Sequence, residues 1–124
     1  MCRILVVDDD PDFVEIVRLI LQREGYDVIT APDGDTALRI MQESPPDLIL
    51  LDVMMKGVLD GVQTAHTISE DELLHKTPLI MVSSITGSSR AEFFPTDEYL
   101  PIDAWISKPV QPDDLLKKVE RYLK

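Results

Sequence analysis

The chain has 124 residues, 44 % of them hydrophobic and 28 % charged, the proportions of one ordinary globular domain with a single core. With 23 acids against 12 bases the formal net charge is −11, a field that repels phosphate backbones and argues against nucleic-acid binding. The lone cysteine, Cys2, excludes an internal disulfide and suits a reducing cytoplasm; no apolar run approaches a membrane span or reads as a signal peptide.

Apolar runs alternate with helical periods along the chain. "RILVV" (Arg3 to Val7) is short, continuous and β-branched, as expected of a strand covered on both faces. "DPDFVEIVRLILQREG" then places Phe13, Ile16, Val17, Ile20 and Leu21 on one helical stripe, with Asp10 as N-cap, Pro11 at the first helical position and Gly25 as the stop. "YDVITA" predicts a second strand and "DGDTALRIMQE" a second helix that turns Ala37, Leu38 and Met41 inward. "LILL" is the third strand, and Val62, Ala65 and Ile68 support a third helix only weakly. "PLIMVS" and "DAWIS" are the fourth and fifth strands. Between them "SITGSSRAEFFPTDEYLPI" carries two prolines and no helical period, which predicts an irregular excursion with at most a short fourth helix. "PDDLLKKVERYL" closes the chain as a helix with Leu115, Leu116, Val119 and Leu123 on one face.

Strands alternating with helices imply crossover connections, hence a parallel α/β sheet with helices on both sides. Ligands of such sheets bind beyond the carboxyl ends of the strands, where strand order reverses. The residues at those ends are Asp8, Asp9 and Asp10 after strand one, Asp52 after strand three, Ser83 and Ser84 at strand four, and Lys108 with Pro109 after strand five. If the first and third strands are neighbours, these carboxylates converge at one edge and call for a cation, and an oxygen-only donor set selects a hard one, Mg²⁺ or Mn²⁺. A hydroxyl and a lysine at the same edge suit a phosphoryl group, and a carboxylate can itself accept one.

Each residue also has an ordinary reading. The Asp8–Asp10 run could simply cap the first helix, Asp52 could start a turn, and Ser83 and Lys108 could be surface groups. Trp105 could be a core or rim aromatic. His66 and His75 lack any partner at a metal-ligand spacing and read as solvated. Their shared position at one end of successive strands is what favours a common purpose for the acids, the serine and the lysine.

Taken together, "ILVVDDDPDFVEIV", "APDGDTAL", "PDLILLDVMM", "PLIMVSS" and "WISKPV" resemble the receiver domain of bacterial two-component response regulators, over essentially the whole chain. The resemblance implies one receiver domain spanning 1–124, built as a doubly wound five-stranded sheet in the flavodoxin-like, CheY-like order 2-1-3-4-5. It implies a signalling module rather than an enzyme, phosphorylated by a sensor histidine kinase or phosphotransfer protein and signalling through a protein target. By the same carry-over Asp8, Asp9, Asp52 and the Met54 carbonyl would hold the metal, and Asp52 would accept the phosphoryl group. Ser83 and Lys108 would meet its oxygens, and Trp105 stands where the family has the tyrosine or phenylalanine that reorients. Apolar Met54 and Ile85 beside the route of attacking water imply slow autodephosphorylation, and the first helix, with Val14 and Leu21, is the expected docking face. With no second domain in view, the output would be a protein contact, unless the chain is an excised piece of a longer regulator.

The departures are local. After the acceptor, "DVMMKGVLDG" has Lys56 in place of the family's proline and one extra residue before Asp60-Gly61. Ser84 replaces the common alanine, and "LPIDA" replaces the usual Gly-Ala before the aromatic. Two rivals stay open at this point. One is a haloacid-dehalogenase-type phosphatase with Asp8 as nucleophile, although Asp12 stands where that motif has Thr or Val. The other is a degenerate receiver that binds partners without phosphorylation.

Overall fold

The five apolar runs become five strands: β1 Arg3–Val7, β2 Asp27–Ala31, β3 Leu48–Asp52, β4 Leu79–Ser83 and β5 Ala104–Ser107. The computed structural model describes residues 2–52, 67, 68, 70, 76–83, 104–107 and 110–123, without the side chains of Ser83, Trp105 and Ser107. All neighbouring strands are parallel, in the order β2-β1-β3-β4-β5 expected from the resemblance. Helices α1 Pro11–Arg23, α2 Gly34–Glu43 and α3 Pro112–Leu123 flank the sheet. The expected excursion over 84–102 and its short helix lie outside the described residues, as do Val62 and Ala65. Ile68 is described, and is helical and buried. None of the described helices is long and apolar enough to cross a membrane.

Period-two alternation divides the strand side chains between two cores. Leu5, Val7, Ile49, Leu51, Leu79 and Met81 pack on the face covered by Ala37 and Met41 of α2. Ile4, Val6, Leu48, Leu50, Ile80, Val82 and Ile106 pack on the opposite face, against Val17 and Leu21 of α1 and Leu115 and Val119 of α3. Burying each of these aliphatic side chains is worth about 1.5–3 kcal/mol, so the two cores fix the sheet firmly. The core stripe read for the first helix needs one correction, since Ile16 is 54 % exposed, as is Leu19 at 50 %.

The helix ends follow local chemistry. Asp10, in extended backbone, accepts hydrogen bonds from the N–H groups of Asp12 and Phe13, and Pro11 occupies the first helical position. At the other end Gly25 adopts φ +91°, its N–H donates to Gln22 O, and Tyr26 N–H donates to Leu21 O. That crossed pair is a Schellman stop, which a left-handed glycine makes accessible. Asp33 caps α2 through Thr36 N–H at 2.7 Å. At the far edge of the sheet Arg3 gathers loose ends: its guanidinium reaches Asp27 and Ser44, and its backbone N–H donates to Asp47 Oδ2 at 2.7 Å.

Candidate functional site

The site begins with strand register. Val7 pairs with Leu51, so the next residues, Asp8 and Asp52, emerge side by side from adjacent parallel strands. This is the place where strand order reverses, because β2 lies on one side of β1 and β3 on the other. Asp8 N–H donates to Ala31 O at 3.0 Å, which carries the ladder one residue past the end of β1. Asp52 ends β3 still in register with Val82 of β4.

One carboxylate oxygen each from Asp8, Asp9 and Asp52 lies within 4.8 Å of the others. Asp8 is 3 % exposed and Asp52 5 %, whereas Asp9 is open to solvent. Two acids buried beside a third repel one another, and a hard cation relieves the repulsion. The donor set fits Mg²⁺: around an octahedral ion with bonds of about 2.0–2.1 Å, ligand oxygens stand roughly 3 Å apart in cis and 4 Å in trans. The exposed Asp9 is the freest of the three to move toward an ion.

The acidic run therefore divides its labour. Asp10 takes the capping role, while Asp8 and Asp9 turn to Asp52. Sequence reasoning missed a further link, the Asp10 backbone N–H donating to Asp8 Oδ1 at 2.9 Å. It also missed a cleft of about 190 Å³ between the ends of β1 and β2, lined by Asp8, Asp9, Pro11, Val14, Thr30, Ala31 and Pro32.

The other residues singled out are placed as far as they are described. Ser83 closes β4, one position beyond Val82 and therefore beside the end of β3, and Trp105 lies in β5 opposite Met81. Both side chains, together with Met54, Lys108, Ile85, Lys56 and the segment to Gly61, lie outside the described residues. One expected docking residue is corrected: Leu21 is fully buried between α1 and the sheet, so it cannot face a partner.

Comparison with known proteins agrees with this geometry. The sequence pattern of the response regulator receiver domain matches residues 4–120. The alkaline phosphatase synthesis transcriptional regulatory protein PhoP of Bacillus subtilis is 35 % identical over 98 % of this chain and 48 % of its own length. The chain thus spans about half the length of the curated relatives it matches. Chemotaxis protein CheY4 of Vibrio cholerae superposes with a TM-score of 0.85 at 31 % identity, covering 99 % of both chains. The receiver domain of NtrX from Brucella abortus gives 0.79 at 32 %, covering 97 % of both. A doubly wound sheet with acids paired at its switch point, matched along nearly its whole length, belongs to the response regulator receiver domain family, the signalling modules of two-component phosphorelays.

Proposed function

We propose that Asp52 accepts the phosphoryl group, and that residues 1–124 form one receiver domain switched by its arrival. The observation that carries this reading is the convergence of Asp8, Asp9 and Asp52 at the switch point of the sheet. A sensor histidine kinase or phosphotransfer protein presents phosphohistidine above that edge. An Asp52 oxygen attacks phosphorus, the O–P bond forms, and the P–N bond breaks with its electron pair returning to the imidazole. Mg²⁺ or Mn²⁺, held by Asp8, Asp9, Asp52 and the Met54 carbonyl, would supply the positive charge that offsets the phosphoryl oxygens.

Lys108 and the Ser83 hydroxyl take the roles of phosphoryl partners in this reading, and Trp105 fills the space that Ser83 leaves. Water then attacks phosphorus, the O–P bond breaks, and Asp52 returns as a carboxylate with release of phosphate. Met54 and Ile85 make that reset slow. The partner docks on α1 through Ile16 and Leu19, two large apolar side chains that stand exposed on that helix. Relatives with DNA-binding output exist, such as the DNA-binding response regulator MtrA of Mycolicibacterium smegmatis, which the chain matches over half its length. For this chain we place a cytoplasmic setting and a protein contact as output, since its charge disfavours nucleic acid.

Radiolabelled acetyl phosphate with Mg²⁺ tests the assignment. Wild type takes up label, Asp52→Asn takes up none, and Asp8→Asn labels slowly but on the same residue. Label that survives in Asp52→Asn and vanishes in Asp8→Asn would transfer the case to the phosphatase. Unlabelled wild type, with Trp105 fluorescence flat to Mg²⁺ and beryllofluoride, would make this a receiver that signals without phosphorylation.

A further inference from the structure

We infer that Asp10 is a positioning residue for the acidic site, holding the Asp8 carboxylate through the cap of α1. The inference rests on the metal-site reading above. Asp10 is not one of the three clustered acids, and its own carboxylate is engaged elsewhere: Oδ1 accepts from Asp12 N–H at 3.0 Å and from Phe13 N–H at 3.4 Å. The backbone N–H of the same residue donates to Asp8 Oδ1 at 2.9 Å. One residue thus joins the first turn of α1 to a carboxylate of the site.

Three further constraints make that link stiff. Pro11 confines the residue before it to extended backbone, and Asp10 sits there at φ −93°, ψ 106°. The Asp10 carbonyl accepts from Val14 N–H at 3.0 Å, so its carbonyl and its carboxylate are both committed to the helix. Phe13, whose N–H the cap receives, packs on the core shared by α1 and α3. The orientation of Asp8 is therefore set by a packed helix rather than by a free loop. A ligand carboxylate fixed by an outer hydrogen bond keeps its remaining lone pairs aimed at the ion, and loss of such a bond commonly costs about 10–100-fold in metal affinity.

The test is calorimetric titration of the 124-residue chain with Mg²⁺ alone. Asp10→Ala, which removes the cap acceptor, binds roughly 10-fold more weakly than wild type. Asp10→Gly, a residue that helix N-caps tolerate, behaves alike and stands in if the alanine variant does not fold. Asp10→Ser and Asp10→Asn keep a capping oxygen without the charge and restore the affinity to within about twofold. In the ion-free protein, hydrogen exchange at the residue 10 amide quickens in the alanine and glycine variants and not in the serine and asparagine ones. Equal affinity in wild type and the uncapped variants overturns the inference. Weakening shared by serine and asparagine overturns it too, because the charge of Asp10 would then be what matters. Wild type that takes up no Mg²⁺ overturns the metal-site reading itself, and this inference with it.

Discussion

Val7 and Leu51 are register partners, and through them Asp8 and Asp52 leave neighbouring strands together, two nearly buried carboxylates with the exposed Asp9 beside them. Without a cation these like charges, held close in a partly desolvated site, repel one another, which is a cost to folding. Asp8→Asn, which keeps an oxygen at Oδ1 for the Asp10 N–H, stabilises the ion-free protein by about 1 kcal/mol and raises its melting midpoint by roughly 3–6 °C. Mg²⁺ reverses the ranking, since at a hundredfold excess over its dissociation constant it adds about 2.7 kcal/mol to wild type. Thermal denaturation with and without Mg²⁺ checks both signs; a lower ion-free midpoint in the variant would show that the acids do not repel.

The two sides of α1 separate stability from partner contact. Leu21 is fully buried, and Leu21→Ala leaves a cavity that costs about 2–5 kcal/mol in urea unfolding. Ile16→Ala and Leu19→Ala, both on the open side, change stability by less than about 0.5 kcal/mol. They slow phosphotransfer from the cognate donor while leaving labelling by acetyl phosphate unchanged. A loss of both kinds of labelling would place these residues in the fold rather than in docking.

Gly25 gives a test of backbone conformation alone. At φ +91° an added Cβ meets nothing within 4 Å, so Gly25→Ala suffers no clash and carries only the left-handed penalty. That penalty is about 1–2 kcal/mol, read as a drop in urea midpoint at unchanged slope. Gly25→Asn, a residue that tolerates this region better, loses less.

Tyr26 contributes to the alkaline limb of stability. Burial first, then Glu120, Cys2 and Glu24, push its phenol above the ordinary tyrosine value. A group raised in the folded state contributes stability that is fully present below its unfolded pKa of about 10, and that is lost as pH rises through the folded value. Tyr26→Phe therefore flattens the fall in stability above pH 10, measured by urea unfolding at stepped pH. An unchanged slope there would assign the fall to other groups.

Much of the fold could be read from period alone, because the same apolar pattern that marks an element also builds its core. "RILVV", "LILL" and "PLIMVS" became buried strands for that reason. Boundaries moved by a residue where hydrogen bonding outran hydropathy: β3 includes Asp52, a polar residue that pattern reading leaves outside the strand. Ile16 was misplaced because a helix on a sheet buries only an arc. At about 100° per residue it stands a quarter-turn from Val17, at the centre of that arc, and Leu19 stands farther round still. Composition could not divide Asp8, Asp9 and Asp10 between capping and ion binding, since every acid before a helix is eligible for either. That division came from the resemblance, and the structure puts the Asp10 carboxylate in the cap and those of Asp8 and Asp9 beside Asp52. Strand order came from the resemblance, because hydrophobic period carries no information about which strands are neighbours.

Alternation along β3 has a last consequence. Leu48 and Leu50 belong to one core, and Ile49 and Leu51 to the other. A slip of a single residue would exchange every one of these side chains between faces and carry Asp52 about 3.3 Å along the strand. That distance exceeds a Mg²⁺–oxygen bond, so the proposed ion site would tolerate less displacement than one step of the ladder. Hydrophobic sorting is the ruler by which the carboxylates are placed. Volume changes deep in β3, remote from any charge, will therefore be felt in ion affinity at the proposed site as well as in stability.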